Sequence, residues 1–148
     1  MKKLNKVLGG MEMIKEFTTK DMLDLLYKDL LEIEDNDVNK TVVVLETPTK
    51  ESVFPCRVIN IPLDSVLKSE RGIPILKNFQ ITIEHWCSSQ EQCLKIAINT
   101  DKKLQERNIL KTSTQPIIYD EVTQMYRFII NYEVRWEYLT NSFKFKNK

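Results

Sequence analysis

The chain has 148 residues, enough for one domain that buries roughly two-thirds of its unfolded surface. Its 42% apolar and 29% charged residues exclude a disordered chain, and no stretch approaches the roughly eighteen apolar residues of a membrane-spanning helix. Twenty-two basic against twenty-one acidic side chains leave a net charge of +1, which argues against a dedicated nucleic-acid binder with a concentrated basic footprint and is compatible with self-association.

Residues 1–17, with Gly9 and Gly10, read as an arm. Its apolar residues are broken by Asn5, Lys6, Glu12 and Lys15, so no secretory signal is expected and the protein is assigned to the cytoplasm of its cell. Thr18 or Thr19 can cap a helix, with Asp21 in a capping-box position. Met22, Leu23, Leu26, Leu30 and Ile33 then recur at helical spacing, with Asp24, Lys28, Asp29 and Glu32 opposite, up to the acidic turn at 34–37. Residues 41–47 are β-branched and read as a strand, and 53–61 as its neighbour, with Pro55 marking an edge or a bulge. Pro62, Gly72 and Pro74 punctuate 62–77, which reads as a long surface loop.

Phe79, Ile81, Ile83 and His85 alternate with Gln80, Thr82, Glu84 and Trp86, giving a third strand. Ser88 as N-cap and Glu91 as its box partner open a second helix to about Arg107, with Leu94, Ala97, Ile98, Asp101 and Leu104 as its inward stripe. Short strands are expected at 109–114 and 117–122. From Met125 to Tyr138 the alternation is the most regular of the chain: Tyr126, Phe128, Ile130, Tyr132, Val134, Trp136 and Tyr138 on one face, and Arg127, Glu133, Arg135 and Glu137 on the other. A basic tail occupies 141–148. The expected fold is α+β: a largely antiparallel sheet with two main helices packed on one face, one domain over 18–140.

Chemistry is sparse in this sequence. His85, Cys87 and Cys93 could supply three soft metal ligands, but no fourth stands nearby, and buried core packing is the preferred reading. Residues two apart on a strand point in parallel, so His85 and Cys87 are not a nucleophile and base. Three cysteines without CxxC spacing suggest free thiols. Three glycines leave no phosphate-cradling loop, and no cofactor, metal site or catalytic residue is assigned. Glu46 with Glu51, and Asp120 with Glu121, read as solvated turn residues. Arg127, Glu133, Arg135 and Glu137 are candidates for a subunit interface, since alternating signs fix register between partners.

The segments FQITIEHWCSSQEQCLKIAINTDKKLQERN and IIYDEVTQMYRFIINYEVRW, within 79–136, carry a strand, a capped helix and a two-faced hairpin. This stretch resembles the small α+β tail terminator and tail-completion (head-tail joining) proteins of long-tailed bacteriophages, with Gln124 where such hairpin turns usually place glycine. The resemblance implies a non-enzymatic virion protein, assembled in the host bacterial cytoplasm. It would form a ring, a homohexamer, that ends the tail tube and joins it to the head connector. Its partners would be itself, the tail tube protein and the connector protein, with DNA passing through the lumen without specific binding and no membrane contact. Lys68, Glu70 and Arg71 would reach the tube or connector. The alternatives are another neck, connector or tube subunit of such a particle, a small nucleic-acid-binding α+β domain, or an enzyme of unrecognised type.

Overall fold

The computed structural model describes residues 7–8, 11–12, 16–35, 41–138, 140 and 142–144. Most of the expected arm lies outside these residues. Within it Val7–Leu8 (β1) pairs with Met11–Glu12 (β2) as a small hairpin. Phe17 is packed, its ring stacked on Trp136 at a centroid distance of 4.2 Å.

Helix α1 spans Thr19–Leu31. Thr18 caps it in the expected capping box: the Asp21 amide donates to Thr18 Oγ1 at 3.1 Å, and the Thr18 amide donates to the Asp21 carboxylate at 2.8 Å. Met22, Leu26 and Leu30 are buried, but so is Asp29, which the sequence places on the outer side. The reason is a partner just beyond the second helix: Arg107 donates twice to its carboxylate.

Seven strands form one sheet among the described residues, and the fold is α+β as expected. The order is β3 (Val42–Val44), β4 (Cys56–Glu70), β5 (Ile73–Cys87), β8 (Met125–Glu137), then β6 (Leu110–Thr114), with β7 (Ile118–Asp120) and β9 (Ser142–Lys144) also on the free side of β8. All pairings in this sheet are antiparallel except β3 with β4, which is parallel. Residues 41–47 and 53–61 are therefore not a hairpin. The Phe54–Pro55 peptide is cis and Pro55 precedes β4, so the strand needs no bulge to accommodate it.

The expected loop at 62–77 is instead a hairpin. β4 and β5 pair from Cys56↔Trp86 out to Glu70↔Ile73, and Arg71 (φ 52) and Gly72 (φ 78) make the tip. Two consecutive left-handed residues are what a two-residue type I′ turn requires, and Gly72 takes that conformation without a Cβ penalty. Pro62 lies where the register slips between Asn60↔Thr82 and Leu63↔Gln80. One extra residue sits in β4 there, and a missing N–H costs least at such a bulge. The slip moves the helix-facing residues of β4 from odd (Arg57, Ile59) to even (Asp64, Val66) positions.

Helix α2 spans Gln90–Gln105, and its cap is Ser89, one residue later than expected, accepting from the Gln92 amide at 3.1 Å. The inward stripe also differs from the expected one: Cys93, Ile96, Ala97, Thr100 and Leu104 are buried, while Leu94 and Ile98 are exposed. At its end Asn108 takes φ 64 and the Ile109 amide returns to the Leu104 carbonyl at 3.1 Å, a Schellman closure.

α1 lies over β3 and β4, and α2 over β5, β8 and β6. The core between them takes Phe79, Ile81 and Ile83 from β5 and Ile130, Tyr132, Val134 and Trp136 from β8, the aromatic-rich face read from the alternation. The expected basic tail is partly structured: β9 pairs Trp136 with Phe143, which is buried. Residues 141 and 145–148 lie outside the described residues.

An unpaired carboxylate at a position such as Ile130 costs several kcal/mol, comparable to a domain's whole stability of about 5–15 kcal/mol. Ile130→Asp is therefore expected to abolish the cooperative thermal transition. Ile98→Asp, on the exposed side of α2, should shift stability by no more than about 0.5 kcal/mol. Equal losses in the two variants would show that the assigned helix face is wrong.

Candidate assembly surface

The residues with the most chemical potential are used internally. Arg57, on β4, is fully buried opposite His85 on β5. Its Nη1 and Nη2 donate to the two carboxylate oxygens of Asp35 at 3.0 and 2.9 Å, a bidentate pair whose side chains are 0% and 3% exposed. Nη2 also donates to the Ile96 carbonyl at 2.9 Å, and Nε to Thr100 Oγ1 at 2.7 Å. Asn99 adds a donor to Asp35 at 2.8 Å.

Desolvation alone would raise the Asp35 pKa; the Arg57 guanidinium and the Asn99 amide outweigh it and hold the carboxyl below its ordinary value. Asp35 belongs to the acidic run read as the turn that ends the first helix, and its side chain is buried. Nothing local in the sequence marks it.

His85 closes the cluster. Its Nδ1 lies 3.0 Å from the Phe128 carbonyl, which can only accept, so Nδ1 carries the hydrogen. Nε2 then accepts from Thr100 Oγ1 at 2.9 Å. Burial, with the Arg57 charge nearby, pushes the imidazole down to about 3, so it is neutral at physiological pH. Both ring nitrogens are occupied by protein and the residue has no solvent contact. Cys87 and Cys93 pack with Ile96 beneath α2, and the Cys93 thiol faces the His85 and Tyr126 carbonyls at 3.6 and 3.5 Å. The Cys87 thiol is pushed up by its contact with Cys93 and by burial. These three residues are a piece of core, as the preferred sequence reading has it.

The opposite sheet face holds a small apolar cluster of Cys56, Val58 and Trp86 at its β3 end and is polar and knit across strands elsewhere. Thr82 donates to Asn131 at 3.1 Å and Asn131 to Ser113 at 2.9 Å. Trp86 Nε1 donates to Glu84 at 2.9 Å, and the Arg127 guanidinium sits 5.5 Å above the Trp86 ring. A trough of about 230 Å³ runs over Gln80, Thr82, Asn131, Glu133, Thr112 and Ser113.

All four interface candidates on β8 lie on this face. Glu133 is buried and accepts from Asn78 Nδ2 at 2.6 Å; Arg127, Arg135 and Glu137 are half-buried. Glu137 accepts from Thr140 at 3.0 Å. Arg135 stands between Glu133 and Glu137 along the strand and opposite Asn78 and Lys144 in register. The Nε atoms of Arg127 and Arg135 are shielded from water and have no hydrogen-bond partner among the described residues.

Lys68, Glu70 and Arg71 are exposed at the far end of the β4–β5 hairpin: Lys68 lies level with Leu76↔Glu137, the last pairing of β5 with β8, and Glu70 and Arg71 lie beyond it. The β8 row therefore ends at the level where the charged hairpin tip begins. The Lys77 ammonium, buried at the hairpin's base, is tied to Glu16 at 2.9 Å, to Asp64 at 3.2 Å and to the Phe17 carbonyl at 3.0 Å. The sequence offers no sign of this anchor, since lysine is ordinarily a surface residue.

No described helix is long and apolar enough to cross a membrane. A scan against protein-family models finds no match, and no curated protein matches the sequence.

Removing one partner of the Arg57–Asp35 pair leaves a buried charge, so Arg57→Met should cost about 3–5 kcal/mol in urea unfolding, while Arg57→Met with Asp35→Leu recovers most of the loss. If the single and double variants lose the same amount, the pair is not coupled as described. His85 is neutral when folded and protonates near pH 6.5 when unfolded, so the unfolded state binds more protons between those values. Stability should therefore fall as pH drops below about 6.5, with a slope approaching about 1.4 kcal/mol per unit by pH 5. The His85→Gln variant should lack that component of the slope.

Proposed function

We propose that the protein is a structural assembly subunit: a ring-forming tail terminator that closes the tail tube of a long-tailed bacteriophage and joins it to the head connector. The observation that carries this reading is the division of labour between the two sheet faces. The helix-covered face consumes the histidine, two of the thiols and a buried ion pair as internal fasteners. The other face presents a charged row, and a hairpin carries three charged residues away from the body. The strand–helix–hairpin unit within 79–136, on which the resemblance rests, folds here as β5, α2, β6, β7 and β8 on one sheet face and edge.

In this reading Arg127, Arg135 and Glu137 of the β8 row, with Glu133 buried between them against Asn78, and the tip at Lys68, Glu70 and Arg71 meet other parts of the particle. Arg127 and Arg135 favour it because their Nε–H groups are withdrawn from water yet unmatched among the described residues, and such donors gain by meeting an acceptor. The subunits form a closed homohexamer in the virion, and DNA passes its lumen without sequence readout, consistent with a net charge of +1.

The test is native mass measurement of the purified protein, alone and with isolated tail tubes. A closed oligomer that co-sediments with tubes is expected. Glu70→Lys with Arg71→Glu should leave the thermal midpoint within about 2 °C and the ring intact, because both residues are exposed and lie beyond the level of β9, while tube capture falls at least tenfold. A wild-type protein that stays monomeric at every concentration and ignores tubes would remove the proposal.

A further inference from the structure

Strand registers carry across the whole sheet, so residues on its two outer edges can be compared level by level. On one side β3 covers β4 only at Cys56–Val58; from Ile59 to Glu70 the outer edge of β4 meets no strand among the described residues. On the other side β7, β6 and β9 line up in turn along β8 and likewise have no further neighbour. Following the pairings, Leu63 lies level with Gln80, Glu133 and Leu110. Ile59 lies level with Ile83, Ile130 and Thr114. In the same way β9 is level with β4 around Ser65–Lys68, while β7 reaches the level of β3 only at Ile118. The open β4 edge and the β6 and β9 edge thus share the levels from Ile59 to Lys68, a length of about 26 Å at some 3.3 Å per residue along β8.

Direction matches as well. β4 is antiparallel to β5, β5 to β8, and β8 to β6, so β6 runs antiparallel to β4 within one subunit. A rotation about an axis along the strands preserves direction, so β6 of one copy set beside β4 of the next forms an antiparallel joint. Apolar exposure gathers at the same places. Of twelve large apolar side chains exposed among the described residues, four lie on the matched edges, Leu63, Val66 and Leu67 on one and Leu110 on the other, with Leu63 and Leu110 at the same level. Long apolar edges are ordinarily covered or blocked; on β4 the blocking features along this stretch are Pro62 with its bulge, the charges Asp64, Lys68 and Glu70, and the register shifts around Lys68, and they leave Leu63 exposed on the edge.

We infer that the sheet continues from copy to copy, the β4 edge of one subunit pairing in register with the β6–β9 edge of the next, so that Leu63 meets Leu110 across the joint. This rests on the assembly reading above and names its contact. The joint is heterologous, one edge meeting a different edge, which is the geometry that closes rings. A joint of this length, with side chains on both faces, buries on the order of 1,000 Å² in total, the threshold for a specific interface.

The experiment is cysteine cross-linking, which suits this protein because Cys56, Cys87 and Cys93 are all buried. Leu63→Cys with Leu110→Cys in one chain should give, under mild oxidation, a non-reducing ladder of covalent oligomers ending at the size of the ring. Mixing the two single variants should give only a covalent heterodimer. An oligomeric wild type whose double variant forms no ladder would overturn the edge joint and leave the ring reading standing; a monomeric wild type without cross-links would overturn both. Strong homodimer bands from Leu63→Cys alone would mean edge pairing of like with like, and would also overturn it. Leu63→Lys supplies an independent check: it should dissociate the oligomer without moving the thermal transition of the monomer, and an unchanged oligomer counts against the joint.

Discussion

The antiparallel pairing of β5 with β8 governs the molecule. Twelve successive pairs run from Leu76↔Glu137 to Cys87↔Tyr126 without a bulge. Side chains on strands alternate, so this single register decides which residues face the helices: Phe79, Ile81, Ile83 and His85 together with Ile130, Tyr132 and Val134. A slip of one residue would either bring Gln80, Thr82 and Glu84 of β5 under the helices or turn the aromatic ridge of β8 to the other face. The same register sets His85 within reach of the Phe128 carbonyl and opposite Arg57, and so determines where the buried ionic cluster can form.

Apolar packing alone orients α1 loosely, since its buried apolar stripe is three residues long: Met22, Leu26 and Leu30. Three polar ties supply the rest. Before the helix, Glu16 and the Phe17 carbonyl hold Lys77, and Thr19 donates to Asp64. Within it, Asp29 receives Arg107 from beyond α2. After it, Asp35 receives Arg57. Such pairs add little net stability once desolvation is counted, but they tolerate few geometries. They fix the roll and position of a helix that hydrophobic contact would leave free to slide.

Much of this was legible in the sequence. The fourteen-residue alternation located β8 and its buried face, and Thr18 with Asp21 located the start of α1, because both signals are local. The hairpin at 62–77 was missed because Pro62, Gly72 and Pro74 read as loop punctuation. In the structure Pro62 occupies a bulge and Gly72 half of a tight turn, so the same residues shape a strand pair. The parallel placement of β3 has no local signal. On α2, Leu94 and Ile98 outweighed Cys93 and Thr100 as apolar markers, yet Thr100 is drawn inward by Arg57 and His85. The candidate surfaces were found through their charge. The interior roles of Arg57, Lys77, Asp29 and Asp35 were not, since each depends on partners between 13 and 78 residues distant.

The distribution of the thiols has a practical consequence. Cys87 and Cys93 lie between sheet and α2, while Cys56 lies on the other face with Val58 and Trp86, its ionisation pushed up to about 12 by burial and by Glu84. In the folded state an alkylating reagent finds none of them. Labelling at Cys87 and Cys93 therefore times the lifting of the second helix, and labelling at Cys56 times the opening of the β3 margin. One polypeptide thus carries two built-in clocks, and their agreement or divergence reveals whether the two layers come apart together.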